Sequence, residues 1–142
     1  MCSIGFIGTR HGMSESQKKA LFGFIKEKKF NEFHHGDCIG SDEQAHNIII
    51  KYRDETKEKI KIHGHPPKYK KYRANCQFDI EYTADDYLPR NHNIVDSTDI
   101  LVATPDTPER LRSGTWATVR YAREKNKKIY VIHRNGHITI NQ

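Results

Sequence analysis

The sequence predicts an α/β protein, a Rossmann-like three-layer α/β/α sandwich around a mainly parallel sheet of about five strands. Three observations carry this expectation. Short continuous apolar runs at 3–7, 100–103 and 129–132 alternate with segments of helical periodicity. The runs lack the in–out alternation of a sheet with one wet face, so both faces must be covered. The runs end in glycine, hydroxyl or basic residues that turn the chain into the next helix.

Taken in order, a buried strand over 3–7 runs into the turn Gly8-Thr9-Arg10. Ser14 opens a helix through Leu21, Phe22 and Ile25, its hydroxyl suited to accept from a first-turn amide. A second strand near 32–35 leads into Gly36-Asp37-Cys38-Ile39-Gly40, and Ser41 or Asp42 caps the helix that follows. Ala45, Ile48, Ile49 and Tyr52 lie on one face of that helix. A third strand is expected over 59–62, ending at His63-Gly64-His65-Pro66-Pro67. The segment 66–86 is polar, basic and aromatic, and reads as an excursion around the sheet edge. A helix over 90–97 and a buried strand over 100–103 precede a loop rich in proline and charge over 105–112. Gly114-Thr115 opens the last main helix, which runs to Lys125 and is followed by a strand over 129–132. Asn135-Gly136 offers a turn, after which Ile138 and Ile140 add an edge strand.

The 142 residues suit one domain spanning 1–142 and are too few for two. A formal net charge of +6 favours anionic partners such as phosphates, nucleotides or nucleic acid, without choosing among them. The cysteines, Cys2, Cys38 and Cys76, are far apart with no CxxC spacing, so neither a zinc site nor a disulfide framework is expected and a reduced compartment fits. No apolar run approaches the roughly 20 residues of a membrane span, and no basic segment leads into an apolar one at the N-terminus. The expectation is a cytoplasmic protein without a membrane partner.

In an open parallel sheet, ligands bind beyond the carboxyl ends of the strands. The residues there are Gly8, Thr9 and Arg10; Gly36, Asp37, Gly40, Ser41 and Asp42; and Thr104, Arg112, Ser113, Gly114 and Thr115. Glycine lets a phosphate approach the backbone, and a helix N-terminus presents amides with partial positive charge. Ser113-Gly114-Thr115 is the best phosphate cradle in the chain. Arg10, Arg90 and Arg112 suit bidentate contacts to phosphate oxygens. Asp37 and Asp42 would repel a phosphate and suit ribose hydroxyls, a base edge or helix capping. The dinucleotide fingerprint GxGxxG and the P-loop GxxxxGK[ST] are both absent. No cofactor is expected. His34-His35 and His63-x-His65 are suggestive of metal, but neighbours on a strand face opposite ways and two ligands do not complete a zinc site, so no metal is expected.

Four of these stretches together resemble the SLOG superfamily. Phe6-Ile7-Gly8-Thr9-Arg10 is similar to its opening GxR strand. His35 to His46 is similar to its second motif, GGxxGxDxxAh. Pro89-Arg90-Asn91-His92-Asn93-Ile94-Val95 resembles RNxxmv, which adds Asn91 to the candidate binding residues, and Arg112-Ser113-Gly114-Thr115 resembles the SxGT phosphate turn. The resemblance runs from Ile4 to Ile132 and is nearest to a small stand-alone branch related to the bacterial YspA and YpsA proteins. It implies a Rossmann-like fold, nucleotide-type ligands and a homo-oligomer. The Lonely Guy phosphoribohydrolases of the superfamily carry a catalytic Glu three residues after the Thr of their phosphate turn. Thr118 stands there, while Arg90 matches their assisting Arg. DNA-processing protein A, another member, binds single-stranded DNA.

The leading expectation is therefore a binder of a nucleotide or nucleotide-derived ligand, of cyclic or ADP-ribose type, at the carboxyl edge of the sheet. The alternative is an N-glycosidic-bond hydrolase or transferase on nucleosides or nucleotides, with Asp37, Asp42 and Arg90 as its catalytic candidates. The second alternative is a single-stranded nucleic-acid binder using Lys57, Lys59, Lys61, Lys68, Lys70, Lys71 and Arg73 with Tyr69 and Tyr72 interleaved.

Overall fold

The computed structural model describes residues 2–141. The elements in chain order are β1 (Cys2–Gly8), α1 (Glu15–Glu27), β2 (Phe30–His35), α2 (Ser41–Thr56), β3 (Lys61–Gly64), β4 (Ile80–Glu81), α3 (Tyr87–Asp96), β5 (Ile100–Thr104), α4 (Gly114–Glu124), β6 (Lys128–Ile132) and β7 (Ile138–Asn141). The strands form one sheet of order β4-β3-β2-β1-β5-β6-β7. Every pairing is parallel except that of β6 with β7. The chain starts at β1, builds outward through β4, then crosses to β5 on the other side of β1. That reversal opens a crevice beyond the carboxyl ends of β1 and β5.

Two layers of helix cover the sheet, and strand alternation decides which side chain meets which layer. On one face Ile4, Phe6, Phe33, Ile62, Val102 and Ile132 pack with Leu21, Phe24 and Ile25 of α1 and Ala45 and Ile49 of α2. On the other, Ile7, Leu101, Ala103, Ile129 and Val131 pack with Val95 of α3 and Trp116, Val119 and Ala122 of α4. Each fully buried aliphatic or aromatic side chain of this kind contributes on the order of 1.5–3 kcal/mol. Ser14 caps α1 as expected, and Gln17 completes a reciprocal capping box.

The structure departs from the expectation in four places. The sheet has seven strands rather than about five: β4 inside the 66–86 excursion is unexpected, while the edge strand expected at Ile138 and Ile140 joins as the antiparallel β7. The third strand lies at Lys61–Gly64, two residues later than expected, because pairing with β2 carries it through His63 and Gly64. Helix α3 starts at Tyr87, before Pro89, since a proline in the first turn lacks only an amide that has no helical acceptor. Gly40, not Ser41 or Asp42, is the N-cap of α2, and no side chain caps it. Among the described residues no helix is long and apolar enough to cross a membrane.

Candidate functional site

A cleft of about 370 Å³ opens where the chain reverses between β1 and β5. Its walls are the β1–α1 turn (Gly8 to His11), Cys38 and Asp42 at the start of α2, and Tyr87, Leu88, Arg90 and Asn91 on α3. Asp106, Arg110 and Arg112 to Thr115 close it from the β5–α4 side.

Short backbone links fix these loops to each other. The Ser41 amide donates to the Thr9 carbonyl at 3.0 Å, and the Ser41 hydroxyl accepts from the Thr9 amide at 3.2 Å. Gly40 makes that contact feasible: its φ is +94°, and a Cβ there would collide with the Arg10 carbonyl group. On the opposite wall the Ser113 hydroxyl accepts from the Trp116 amide at 3.2 Å and caps α4. Thr115 donates to the Gly8 carbonyl at 3.1 Å, which joins α4 to β1. The amides of Gly114 and Thr115 have no acceptor within their own helix and stand at the positive end of its dipole.

Arg90 forms the cleft floor and is 5 % exposed. Its Nη1 donates to the carbonyls of Gly36 (2.6 Å) and His65 (3.2 Å), and its Nε donates to Asn91 Oδ1 (2.7 Å). The Cys38 sulfur sits 3.6 and 3.7 Å from Nη1 and Nη2. A guanidinium held by neutral acceptors keeps its charge available to a ligand. Asn91 in turn donates to Thr118, whose hydroxyl donates to the Gly114 carbonyl at 2.8 Å. Thr118 is thus occupied in joining α3 to α4.

Asp42 lies beside Arg90 and is nearly buried. Burial pushes its carboxyl up to about 6, against the opposing pull of the Arg90 guanidinium and of the Cys38 amide, which donates to Oδ2 at 3.2 Å. Burial likewise raises the Cys38 thiol to about 11, so it is no thiolate nucleophile near neutrality. Two cleft groups, Thr9 Oγ1 and Tyr87 OH, are buried polar atoms with no hydrogen-bond partner. Arg10 reaches across the rim with its guanidinium 4.3 Å from the centre of the Tyr72 ring, so the 66–86 excursion borders the cleft.

Of the residues singled out from sequence, Gly8, Thr9, Arg10, Asp42, Arg90, Asn91, Arg112, Ser113, Gly114 and Thr115 converge on this cleft. Gly36, Asp37, Gly40, Ser41 and Thr104 do not line it. Gly36 supports Arg90 through its carbonyl, and Gly40 and Ser41 hold the β1 turn. Thr104 is fully buried. Asp37 is fully buried at φ +53°, and its carboxylate accepts from Arg73 Nε (2.8 Å) and the Cys76 amide (2.9 Å). It fastens the excursion to the sheet. The structure adds His11, Cys38, Tyr87, Leu88, Asp106 and Arg110 to the cleft. The charge of its loop signals Arg110, whereas Tyr87 carries no signal because it lies ahead of the expected helix start.

The basic series named from sequence is divided. Lys57, Lys59 and Lys61 lie at the amino end of β3, and Lys68, Lys70 and Lys71 beyond its carboxyl end. Arg73 is engaged with Asp37 and Glu81.

No family model and no curated protein matches the chain. Among solved structures it is similar to the molybdenum cofactor binding protein from the phototrophic bacterium Rippkaea orientalis, with a TM-score of 0.68 and 20 % identity. The match covers 93 % of this chain and 76 % of that one. At this identity the likeness establishes the shared α/β fold.

Proposed function

We propose that the cleft binds a nucleotide or nucleotide-derived small molecule, as in a SLOG-type protein. The observation that carries this reading is the convergence of Arg10, Arg110, Arg112 and the α4 N-terminus on one ligand-sized cleft. The α4 N-terminus at Gly114-Thr115 would receive a phosphate, while Asp42 suits a ribose hydroxyl or a base edge. The Rippkaea orientalis protein binds the molybdenum cofactor, so that cofactor belongs in any ligand screen beside nucleotides.

The experiment is incubation of purified protein with nucleotides, cyclic and ADP-ribose-type signalling nucleotides and the molybdenum cofactor, then rapid filtration and mass spectrometry of both fractions. An intact compound retained by the protein, and released by Arg112→Ala, is the expected result. Retention of none of the panel would defeat the reading.

A second reading rests on Asp42. A carboxyl raised to about 6 inside a ligand-sized cleft has the proton affinity of a general acid that protonates a departing base. Thr118, at the position of the phosphoribohydrolase Glu, supplies no carboxylate and is tied to Asn91 and Gly114. Hydrolysis would then depend on Asp42 with Arg90, and free base in the filtrate, absent with Asp42→Asn, would favour it over binding alone.

A further inference from the structure

At the β2–β3 edge, away from the cleft lining, histidines gather for a reason set by the sheet itself. Alternation places Glu32 and His34 on one face of β2, and Phe33 and His35 on the other. Parallel pairing then sets His34 beside His63, and His65 follows on the same face. The imidazoles of His34 and His63 stack with centroids 4.1 Å apart, and Tyr82 from the excursion stacks on His65 at 4.2 Å.

His34 Nε2 lies 2.9 Å from Glu32 Oε1, and His63 Nε2 lies 3.6 Å from the same oxygen. These three ligand atoms all fall within 4.8 Å of one another. The far nitrogen of each ring is engaged: His34 Nδ1 is 2.9 Å from His65 Nε2, and His63 Nδ1 is 2.9 Å from the Tyr82 hydroxyl. Glu32 only accepts, so without a cation His34 carries its hydrogen on Nε2 and donates it to Oε1; a cation would displace that hydrogen to Nδ1, where His65 Nε2 can accept it, and leave both Nε2 lone pairs for the metal. Imidazoles that ligate metals are oriented in this way by outer partners.

We propose that Glu32, His34 and His63 bind a divalent first-row transition cation, with water completing its coordination from the solvent side. Two imidazoles and a carboxylate leave open positions and suit zinc, cobalt(II) or iron(II) rather than calcium or magnesium. The half-buried Glu32, 37 % exposed, gives the entry path. Lys61 pairs with Glu32 across the two strands but is exposed, and solvent screens its opposition.

A second trio, His35, His46 and Cys76, has comparable spacing but different chemistry. His35 Nδ1 accepts from the Asp37 amide at 3.0 Å, so the neutral ring carries its hydrogen on Nε2 and donates it to His46 Nδ1 at 3.0 Å. Neither nitrogen of His35 is free, and burial raises the Cys76 thiol to about 12. The His35–His46 pair is closed by its own hydrogen bonds.

The test uses tag-free, chelator-treated protein titrated with zinc in a calorimeter and with cobalt(II) in a visible spectrometer. One ion per chain is expected, with the d–d bands of a low-coordinate cobalt site. Glu32→Gln and His63→Gln should each weaken binding more than about tenfold, and Tyr82→Phe roughly tenfold by freeing the His63 ring. His46→Gln should bind as the parent does. Glu32→Gln alters a half-exposed group, so it decides the matter if His63→Gln fails to fold by circular dichroism. Absence of saturable binding, or binding untouched by Glu32→Gln, or binding lost in His46→Gln, would overturn the proposal and leave a proton-linked imidazole stack.

Discussion

The substitution Asp42→Asn should stabilise the protein near neutral pH and hardly at all at pH 4. The Asp42 carboxyl is raised from 3.8 to about 6 because burial disfavours its charged form more than Arg90 and the Cys38 amide favour it. Below the unfolded value both states hold the proton, so the folded state carries no cost. As pH rises, the unfolded chain ionises first, and stability falls until the folded carboxyl also ionises near pH 6. The shift of about two units corresponds to about 3 kcal/mol of stability lost by pH 8, as an order of magnitude. The variant side chain would keep the acceptor for the Cys38 amide and remove the titration. Urea unfolding of the parent and of Asp42→Asn at pH 4 and pH 8 isolates the effect, because every other titrating group cancels in the difference. The expected result is near equality at pH 4 and a variant about 3 kcal/mol more stable at pH 8, roughly 10 °C in melting temperature. A variant less stable than the parent at pH 8 would refute the argument, since it would mean that the attraction of the nearby Arg90 charge outweighs the burial.

Three further substitutions test how the cleft walls are held. Gln17 is fully buried, donates to the carbonyls of Pro105 (2.8 Å) and Ile132 (2.9 Å), and accepts from the Ser14 amide (2.9 Å). Gln17→Leu should therefore cost roughly 3 kcal/mol in chemical denaturation despite raising hydrophobicity. Ser113→Ala removes the α4 cap and should cost about 1 kcal/mol, visible as a lowered melting temperature. Gly40→Ala places a Cβ against the Arg10 carbonyl at φ +94° and should cost about 3 kcal/mol, with faster hydrogen exchange of the Ser41 amide.

The sheet centre is legible in the sequence because β1, β5 and β6 are buried on both faces and so read as unbroken apolar runs. What escapes such a reading depends on distant partners. Strand β4 is two exposed residues, Ile80 and Glu81, without any pattern of their own. It exists because the neighbouring Asp79 accepts from the Ile62 amide at 2.8 Å and Phe78 packs over Gly64. The start of α3 is hidden by Pro89, which reads as a breaker unless the first turn already lies ahead of it. Strand-end position brings eight residues to the cleft, joined by Arg90 and Asn91 from α3, but cannot separate lining from support. Asp37 and Asp42 stand five residues apart in the same glycine-rich stretch with the same chemistry. Only the left-handed backbone at Asp37, which aims its carboxylate at Arg73 and the Cys76 amide, assigns it to the excursion and leaves Asp42 to the cleft. Adjacency along one strand argues against an imidazole cluster, whereas this cluster is built by register between two.

The Asp42 titration also bears on the ligand, because an ionised carboxylate in the cleft repels the phosphate that Arg10, Arg90 and Arg112 attract. Protonation near pH 6 removes that repulsion, so an anionic ligand should bind more tightly at pH 5 than at pH 8, and binding near pH 6.5 should draw a proton from solution. A cyclic nucleotide is the better probe: its phosphodiester has no second ionisation to mimic the effect, whereas a monoester titrates near 6 itself. Calorimetry in two buffers of different ionisation enthalpy would report the uptake directly. Asp42→Asn should bind with an affinity that varies little over this pH range and equals that of the parent at pH 5. If the parent binds a cyclic nucleotide with no proton uptake, the phosphate lies away from Asp42. The charge of Arg90 would then serve the base or sugar rather than the phosphate, and the α4 N-terminus with Arg10 and Arg112 would hold the anion.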